Sequence, residues 1–344
     1  MVRNIVFLFI FCFCFISSGF GQGKNENRFR IISYNVENLY DSFNDSLTSD
    51  EEFLPNGIRG WTYGRMMDKI RSLSKVIIAA GEGDLPDIIG LYEVENYFVL
   101  NKLLKETPLV DFDYRIVHHD SPDPRGIDVA MLYRKDRFKV LKNYPVRIRF
   151  AADTLSRTRD ILYVKGVVLS SSDTLHLFVN HWPSKYGGEL ETVNKRNAVA
   201  LTLKNITDSL LAANSSANII AMGDFNETAN EEAVEKTLGA CMDTVVNNRY
   251  KLYNMTATID YKNKGTIKFR EQWQCIDHII VSQNLLKNTN HIHIIPKSFR
   301  IFDAPFLLQK DEVWFGLKPF RTFYGAKYQA GFSDHLPVII DLTH

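Results

Sequence analysis

The chain has 344 residues, of which 45% are hydrophobic and 24% are charged. This composition is typical of a globular protein with a substantial core and excludes a disordered, collagen-like or coiled-coil chain. The 41 lysines and arginines nearly balance 40 acidic residues, so no overall positive charge indicates binding to nucleic acid. Recognition of phosphate must therefore depend on a few local basic side chains or on a metal ion.

Residues 1–22 form a pattern typical of a secretory signal peptide. Arg3 precedes an apolar run over residues 5–16, and small and polar residues follow the run. A membrane anchor is the alternative, but a spanning helix needs roughly 20 apolar residues. The residues before Cys12 lack the small residue of a lipoprotein signal. We therefore expect a cleaved leader, a secreted or periplasmic protein and no stable membrane anchor.

The remaining chain, residues 24–344, alternates many strand-like runs with fewer helical stretches. In chain order, strands are predicted near residues 29–34, 87–92, 114–117, 127–133, 138–148, 161–169, 174–179, 218–222, 276–281, 291–295 and 338–340. Helices are predicted near residues 65–80, where apolar residues recur at steps of three and four, and near residues 190–211. No repeat or linker divides this sequence, so we predict one α/β domain with two packed sheets and helices outside them.

Two cysteines, Cys241 and Cys275, remain after the leader. They allow either one disulfide or two buried free thiols, and they exclude a zinc site built from several thiolates.

Polar side chains lie at the ends of six predicted strands. They are Asn35, Glu93, His181, Asp224 with Asn226, Asp277, and Asp334 with His335. Each alone would be an ordinary turn or capping residue. Brought to one edge of a sandwich, they would form an oxygen-rich metal site flanked by hydrogen-bond donors, which favours Mg²⁺ or Mn²⁺. Such a site suits phosphoester hydrolysis, because a cation, a base for water and several donors stabilise the charged transition state.

Seven short motifs connect these residues with a known family. In chain order they are SYNVENLY at 33–40, LYEVEN at 91–96, GIDVA at 126–130, NHWPS at 180–184, GDFN at 223–226, IDH at 276–278 and SDHLP at 333–337. Together they resemble the endonuclease/exonuclease/phosphatase superfamily, typified by deoxyribonuclease I and the exonuclease-III-like AP endonucleases. The resemblance covers about residues 29–342 and implies a four-layer α/β/β/α sandwich with metal-dependent phosphoester hydrolase activity.

The resemblance also implies which residues bind the metal. Asn35 and Glu93 would lie at the divalent cation, with Glu93 as a direct ligand. Asp334 would help to bind or position a metal. Whether one or two metals act is left open.

Five further residues acquire catalytic roles from the same resemblance. Asp224 would orient or deprotonate the attacking water, and Asn226 would hold a phosphate oxygen. His335, paired with Asp277, would contact the scissile phosphate, and His181 would serve in acid–base chemistry or phosphate binding. Asp224 and His335 both remain candidates for the base.

The substrate is less defined than the reaction. The segment 181–188 and the Arg-Gly-Ile-Asp sequence at 125–128 resemble secreted bacterial nuclease-type members, which implies hydrolysis of DNA or RNA. Arg125, Lys185 and Arg196 are candidate phosphate contacts. The alternative is a phosphomonoesterase or a sphingomyelinase-like hydrolase of small or lipid phosphoesters, because the balanced charge argues mildly against a processive duplex binder.

Overall fold

The computed structural model of the protein describes residues 27–151, 153–243, 251–259, 264–287 and 291–344. The predicted signal peptide lies outside the described residues. The helices are α1 (Tyr63–Ala80), α2 (Tyr97–Lys105), α3 (Glu189–Ala213) and a π-helix at Ala233–Leu238. Short 3₁₀ turns occur at Glu51–Phe53, Pro108–Asp111, Met255–Thr258, Gln283–Leu286 and Pro305–Leu307.

The strands follow the predicted order, with additional short strands in the last third of the chain. They are β1 (Phe29–Leu39), β2 (Ile88–Val94), β3 (Tyr114–His118), β4 (Asp128–Arg134), β5 (Phe138–Val146), β6 (Ile161–Val168), β7 (Thr174–His181), β8 (Asn218–Asp224), β9 (Ala240–Cys241), β10 (Leu252–Asn254), β11 (Ile267–Phe269), β12 (Gln272–Gln274), β13 (Asp277–Ser282), β14 (His293–Ile294), β15 (Arg300–Ile301), β16 (Leu308–Lys310), β17 (Leu317–Pro319), β18 (Phe323–Tyr324), β19 (Lys327–Tyr328) and β20 (Val338–Thr343).

Most of these strands form two large mixed sheets. The first has the order β14-β20-β1-β2-β4-β3, with β15 also paired to β20, and the second has the order β5-β6-β7-β8-β13-β10-β9. The pairs β1–β2 and β7–β8 are parallel, whereas β8–β13 and β1–β20 are antiparallel. The remaining strands form three small hairpins, β11–β12, β16–β17 and β18–β19.

Alternating side chains place an apolar core on each face of the sheets. In β1, Ile32 and Tyr34 pack with residues of α1 and α2, while Phe29 and Ile31 point into the space between the sheets. The outer face of the second sheet packs against apolar residues of α3, including Leu203. The layers are therefore helix, sheet, sheet and helix, which confirms the predicted four-layer α/β/β/α sandwich.

The helices form where the sequence supplies a cap and an apolar stripe. The side chain of Thr62 accepts a hydrogen bond from the Arg65 N–H at the start of α1, and Met66, Ile70 and Leu73 lie buried on one face of that helix. Helix α2 was not predicted. Its nine residues are too few for a clear periodic pattern, although Asn96 caps its start.

Cys241 and Cys275 are both buried, and neither forms a disulfide in the structure. Of the two predicted alternatives, a disulfide or two buried thiols, the structure shows the buried thiols. Among the described residues, no helix has the combination of length and apolar character that a membrane span requires.

Candidate active site

Strand register in the second sheet brings three of the predicted residues together. His181 at the end of β7 is paired with Asp224 at the end of β8, and Asp224 is paired with Asp277 at the start of β13. Paired residues of neighbouring strands lie close enough for their side chains to interact. Strands β7 and β8 each extend two residues beyond the predicted end, because the backbone pairing continues past the apolar run.

Asp224 occupies the centre of this group and is buried. Its Oδ1 accepts a hydrogen bond from the Asn226 N–H at 2.9 Å, and its Oδ2 accepts one from Asn35 Nδ2 at 3.0 Å. The same Oδ2 lies 3.7 Å from Nε2 of His181 and 3.8 Å from Nε2 of His335. Burial raises the pKa of Asp224 to about 7, so the carboxyl group can gain and lose a proton near neutral pH.

The first sheet contributes Asn35 and Glu93 to the same edge of the sandwich. Asn35 Nδ2 lies 3.3 Å from Glu93 Oε1, and the Asn38 N–H donates to Glu93 Oε2 at 2.9 Å. Glu93 also lies 3.8 Å from Nε2 of His181. Its backbone has a positive φ of 62°, a conformation that is unfavourable for a non-glycine residue and is found preferentially at functional sites.

His335 is held by Asp277. Nδ1 of the imidazole and Oδ2 of Asp277 are 2.8 Å apart, and both side chains are buried. Burial alone would lower the pKa of His335, but the carboxylates of Asp277 and Asp224 outweigh it and raise the pKa well above its usual value. The ring is therefore an imidazolium at neutral pH, and its Nε2–H is a charged donor.

His181 has the opposite electrostatic environment. Burial lowers its pKa well below the usual value, and the nearby Arg159 and Arg125 lower it further. Its Nδ1 is buried and has no hydrogen-bond partner in the part of the chain that the structure describes. His181 is therefore a neutral imidazole, whereas His335 is charged. The two histidines differ in protonation state, and only His335 is a charged donor.

Asn226 turns the chain after β8. Its backbone φ is 51°, and its Nδ2 donates to the carbonyl oxygen of Trp182 at 2.9 Å. This contact orients the carboxamide at the same edge as Asp224. A role in holding a phosphate oxygen remains a prediction.

Asp334 sits in a charged network that was not predicted from the sequence. Arg321 donates to Asp334 Oδ2 at 2.9 Å and lies 3.4 Å from Oε1 of Glu37. Glu37 is buried and also accepts from the backbone N–H of Thr322 at 2.6 Å. Arg321 belongs to an aperiodic aromatic-rich segment, which gives no strand-end signal by which it could have been found.

The three predicted phosphate contacts have different surroundings. Arg125 is about half exposed, with Nε 3.2 Å from the carboxylate of Asp123, and it lies close enough to lower the pKa of His181. Lys185 is hydrogen-bonded to Glu231. Arg196 is only 1% exposed and is paired with buried Glu227 at 2.7 Å, an arrangement that does not favour its predicted contact with phosphate.

This edge carries oxygen donors of the type that bind a hard divalent cation, and Asp224, Asp277 and His335 offer ligand atoms within 4.8 Å of one another. The carboxylates of Glu93 and Asp334 are partly exposed, at 16% and 24%, and oxygen ligands of this type suit Mg²⁺ or Mn²⁺. Asn35 presents its Nδ2 to Glu93, while its Oδ1 accepts from the Glu37 N–H. Asn35 therefore orients the carboxylate of Glu93, and because an amide oxygen has two lone pairs, its Oδ1 keeps one that a cation can use. The metal roles of Asn35 and Glu93 remain predictions.

A carboxylate at a strained position, a second buried carboxylate and an imidazole held by aspartate are groups suited to metal-dependent hydrolysis of a phosphoester. Residues 30–344 match the model of the Endonuclease/Exonuclease/phosphatase family, and the chain belongs to that family. The resemblance of the seven motifs is thereby confirmed. A comparison with curated protein sequences gives no match.

Solved structures show the same fold at low sequence identity. An endonuclease/exonuclease/phosphatase family protein from Bacteroides thetaiotaomicron is 15% identical, with a TM-score of 0.59 and coverage of 92% of this chain and 98% of that chain. A mannosyl-6-phosphatase from the same organism is 15% identical, with a TM-score of 0.58 and coverage of 92% and 100%. A humanized TDP2 from D. rerio is 16% identical, with a TM-score of 0.56 and coverage of 92% and 99%.

The protonation states give a testable pH dependence. Asp277→Asn removes the carboxylate that raises the pKa of His335, so the imidazolium loses its proton at a lower pH. If the charged form is required, the alkaline limb of the kcat/KM profile moves down by about 1 to 3 pH units. Profiles of the wild type and of the variant measure this shift. Asp68→Asn, at an exposed position, is the control, and an unchanged alkaline limb in Asp277→Asn would contradict a charged donor role for His335.

Proposed function

We propose that this phosphoester hydrolase is a phosphodiesterase that cleaves DNA or RNA by endonuclease-like attack of an activated water. The observation that supports a polymeric substrate is a row of basic side chains beside the catalytic edge. A cavity of about 360 Å³ is lined by Arg147, Arg149 and Arg157, of which Arg147 lies 3.5 Å from the carboxylate of Asp160. A second cavity, which shares Arg157 with the first, also contains Arg125. Local positive charge of this kind attracts a polyanion even though the whole chain is nearly neutral.

The residues suggest a division of labour in the reaction. Asp224 accepts the proton of the attacking water, because its pKa of about 7 matches a base that works near neutral pH. His335 donates its Nε2–H to the phosphate, since Asp277 keeps the ring charged. A cation held by Glu93, with help from Asp334, would supply positive charge at a phosphate oxygen.

Export is part of the same proposal. Residues 1–22 would direct the protein out of the cytoplasm, where a nuclease would meet extracellular nucleic acid. N-terminal sequencing of the protein recovered from the medium or periplasm tests this, and a recovered chain that begins at Met1 would contradict it.

A substrate panel tests the proposed reaction. Plasmid DNA, single-stranded DNA, RNA and bis-p-nitrophenyl phosphate are incubated with residues 24–344, with Mg²⁺ and with EDTA. We expect metal-dependent cleavage, with a higher kcat/KM for nucleic acid than for bis-p-nitrophenyl phosphate, because only the polymer reaches the basic row. His335→Ala is the control for contaminating nucleases. Absence of metal-dependent turnover on every phosphodiester would exclude the proposal.

One observation favours a second candidate function, hydrolysis of small or lipid phosphoesters. A cavity of about 460 Å³ is lined by Trp273, Leu308, Leu317 and Leu336, the last being the residue after His335. Such a lining suits an apolar leaving group. Release of phosphate or phosphocholine from small or lipid esters at a higher kcat/KM than cleavage of nucleic acid would favour this candidate.

A further inference from the structure

The second cavity described above, which contains Arg125, has a volume of about 310 Å³ and adjoins the catalytic edge, but Asp224, His335 and Glu93 do not line it. It is lined by Thr158, Arg159 and Lys195, among others, and exposed Tyr186 lies at its rim. Arg159 connects it with the active site, because Nη2 donates to the carbonyl oxygen of Trp182 at 2.6 Å. The same carbonyl oxygen accepts from Asn226, so one backbone group separates the cavity from the catalytic residues.

Two buried donors of residues that line this cavity have no hydrogen-bond partner among the described residues. Thr158 and Arg159 are each 5% exposed, and neither Oγ1 of Thr158 nor Nε of Arg159 makes a hydrogen bond. Buried polar groups are almost always paired, because an unpaired donor loses the hydrogen bonds it would make with water. Two unpaired donors on consecutive residues of one cavity wall therefore indicate a ligand that accepts hydrogen bonds.

The charge of the cavity indicates an anion. Its charged lining consists of four cations and one carboxylate, namely Arg125, Arg157, Arg159, Lys195 and Asp123. The carboxylate is already neutralised, since Asp123 Oδ2 accepts from Arg159 Nη1 at 2.9 Å and Oδ1 accepts from Arg125 Nε at 3.2 Å. Lys195 donates to Ser156 Oγ at 2.8 Å and lies 3.8 Å from exposed Asp153, so its ammonium group stays at the solvent side.

We propose that this cavity binds a second phosphate group of the substrate, distinct from the phosphate that is hydrolysed. Thr158 Oγ1 and Arg159 Nε donate to the phosphate oxygens from the cavity wall, and Lys195 supplies positive charge from the solvent side. An oxyanion with several acceptor oxygens matches unpaired donors and positive charge, which a neutral or apolar group would not. The inference rests on the proposed phosphodiesterase function and adds a preference for substrates with a neighbouring phosphate, as in an oligonucleotide.

Equilibrium binding to the metal-free protein tests this site without turnover. Isothermal titration calorimetry in EDTA compares a thymidine dinucleotide, which has one internal phosphate, with its 5′-phosphorylated and 3′-phosphorylated forms. We expect the added phosphate at one of the two ends to lower Kd by about tenfold or more. The end that gives the gain shows on which side of the scissile bond the cavity lies.

Variants locate the effect in the cavity. Thr158→Val keeps the side-chain shape but removes the hydroxyl, and Lys195→Gln removes the charge at a 38% exposed position where folding is not at risk. Each should abolish most of the gain from the added phosphate and leave Kd for the plain dinucleotide unchanged, while Thr158→Ser should retain the gain. Lys204→Gln is the matched control, because Lys204 lies on the same helix, is also 38% exposed and pairs with Asp208 away from the cavity.

Two results would overturn the second-phosphate site. In one, neither added phosphate tightens binding to the wild type. In the other, Thr158→Val and Lys195→Gln both behave like Lys204→Gln. Failure of the proposed function is a separate result, since a protein that hydrolyses no phosphodiester can still show the binding preference.

Discussion

Asp224→Asn is expected to lower kcat on any phosphodiester substrate by about 10²- to 10⁴-fold. The carboxylate lies within 4 Å of both histidines and accepts hydrogen bonds from Asn35 and Asn226. It is therefore the proton acceptor at the centre of this group. The amide keeps the size of the side chain but cannot take a proton from water. Single-turnover kinetics measure the loss directly.

The fold of the Asp224→Asn protein should survive the change. One hydrogen bond from Asn35 or Asn226 is lost, which costs about 1 to 3 kcal/mol, and a buried charge is removed at the same time. Thermal unfolding followed by circular dichroism checks this. Asp208→Asn, at a partly exposed carboxylate on α3, is the control for loss of an aspartate elsewhere. Retained turnover in Asp224→Asn would show that another group is the base.

The order of the long elements could be predicted because most of the long strands are apolar runs of the right length, but the register could not. No local sequence pattern predicts that His181 and Asp277 both lie next to Asp224. That arrangement results from the parallel pairing of β7 with β8 and the antiparallel pairing of β13 with β8. The seven motifs supplied the missing information, since their order implied a known sandwich in which these strand ends meet.

The basic residues show where reasoning from the sequence alone fails. Arg196 and Arg159 are both buried arginines, yet Arg196 is paired with Glu227, whereas Arg159, which no motif of the sequence singles out, lines a cavity. Glu227 is 31 positions away from Arg196 along the chain, so the pairing depends on how α3 packs against the loop after β8. Arg159 precedes β6, which runs antiparallel to β7, and only this pairing places it beside the end of β7.

Glu93→Gln is expected to abolish the response of the protein to Mg²⁺ or Mn²⁺. Removal of one charged ligand weakens a site that is built from few carboxylates, because a hard cation requires charged oxygen donors. In the wild type, a metal concentration of 100 times Kd should raise the free energy of unfolding by about 2.7 kcal/mol relative to EDTA. In Glu93→Gln this gain should disappear, together with metal-dependent hydrolysis. Thermal unfolding with and without metal measures the first effect independently of activity.

Glu95→Gln provides the matched control for Glu93→Gln within the same motif. Glu95 is buried, and its Oε2 accepts from the backbone N–H of Asp41 at 2.6 Å, an acceptor role that the amide oxygen of glutamine can keep. Its side chain makes no hydrogen bond to Asn35, Asp224 or His181 among the described contacts. We therefore expect Glu95→Gln to retain the metal-dependent gain in stability. Equal gains in both variants would place the cation away from Glu93 and would contradict the ligand assignment on which the proposed reaction depends.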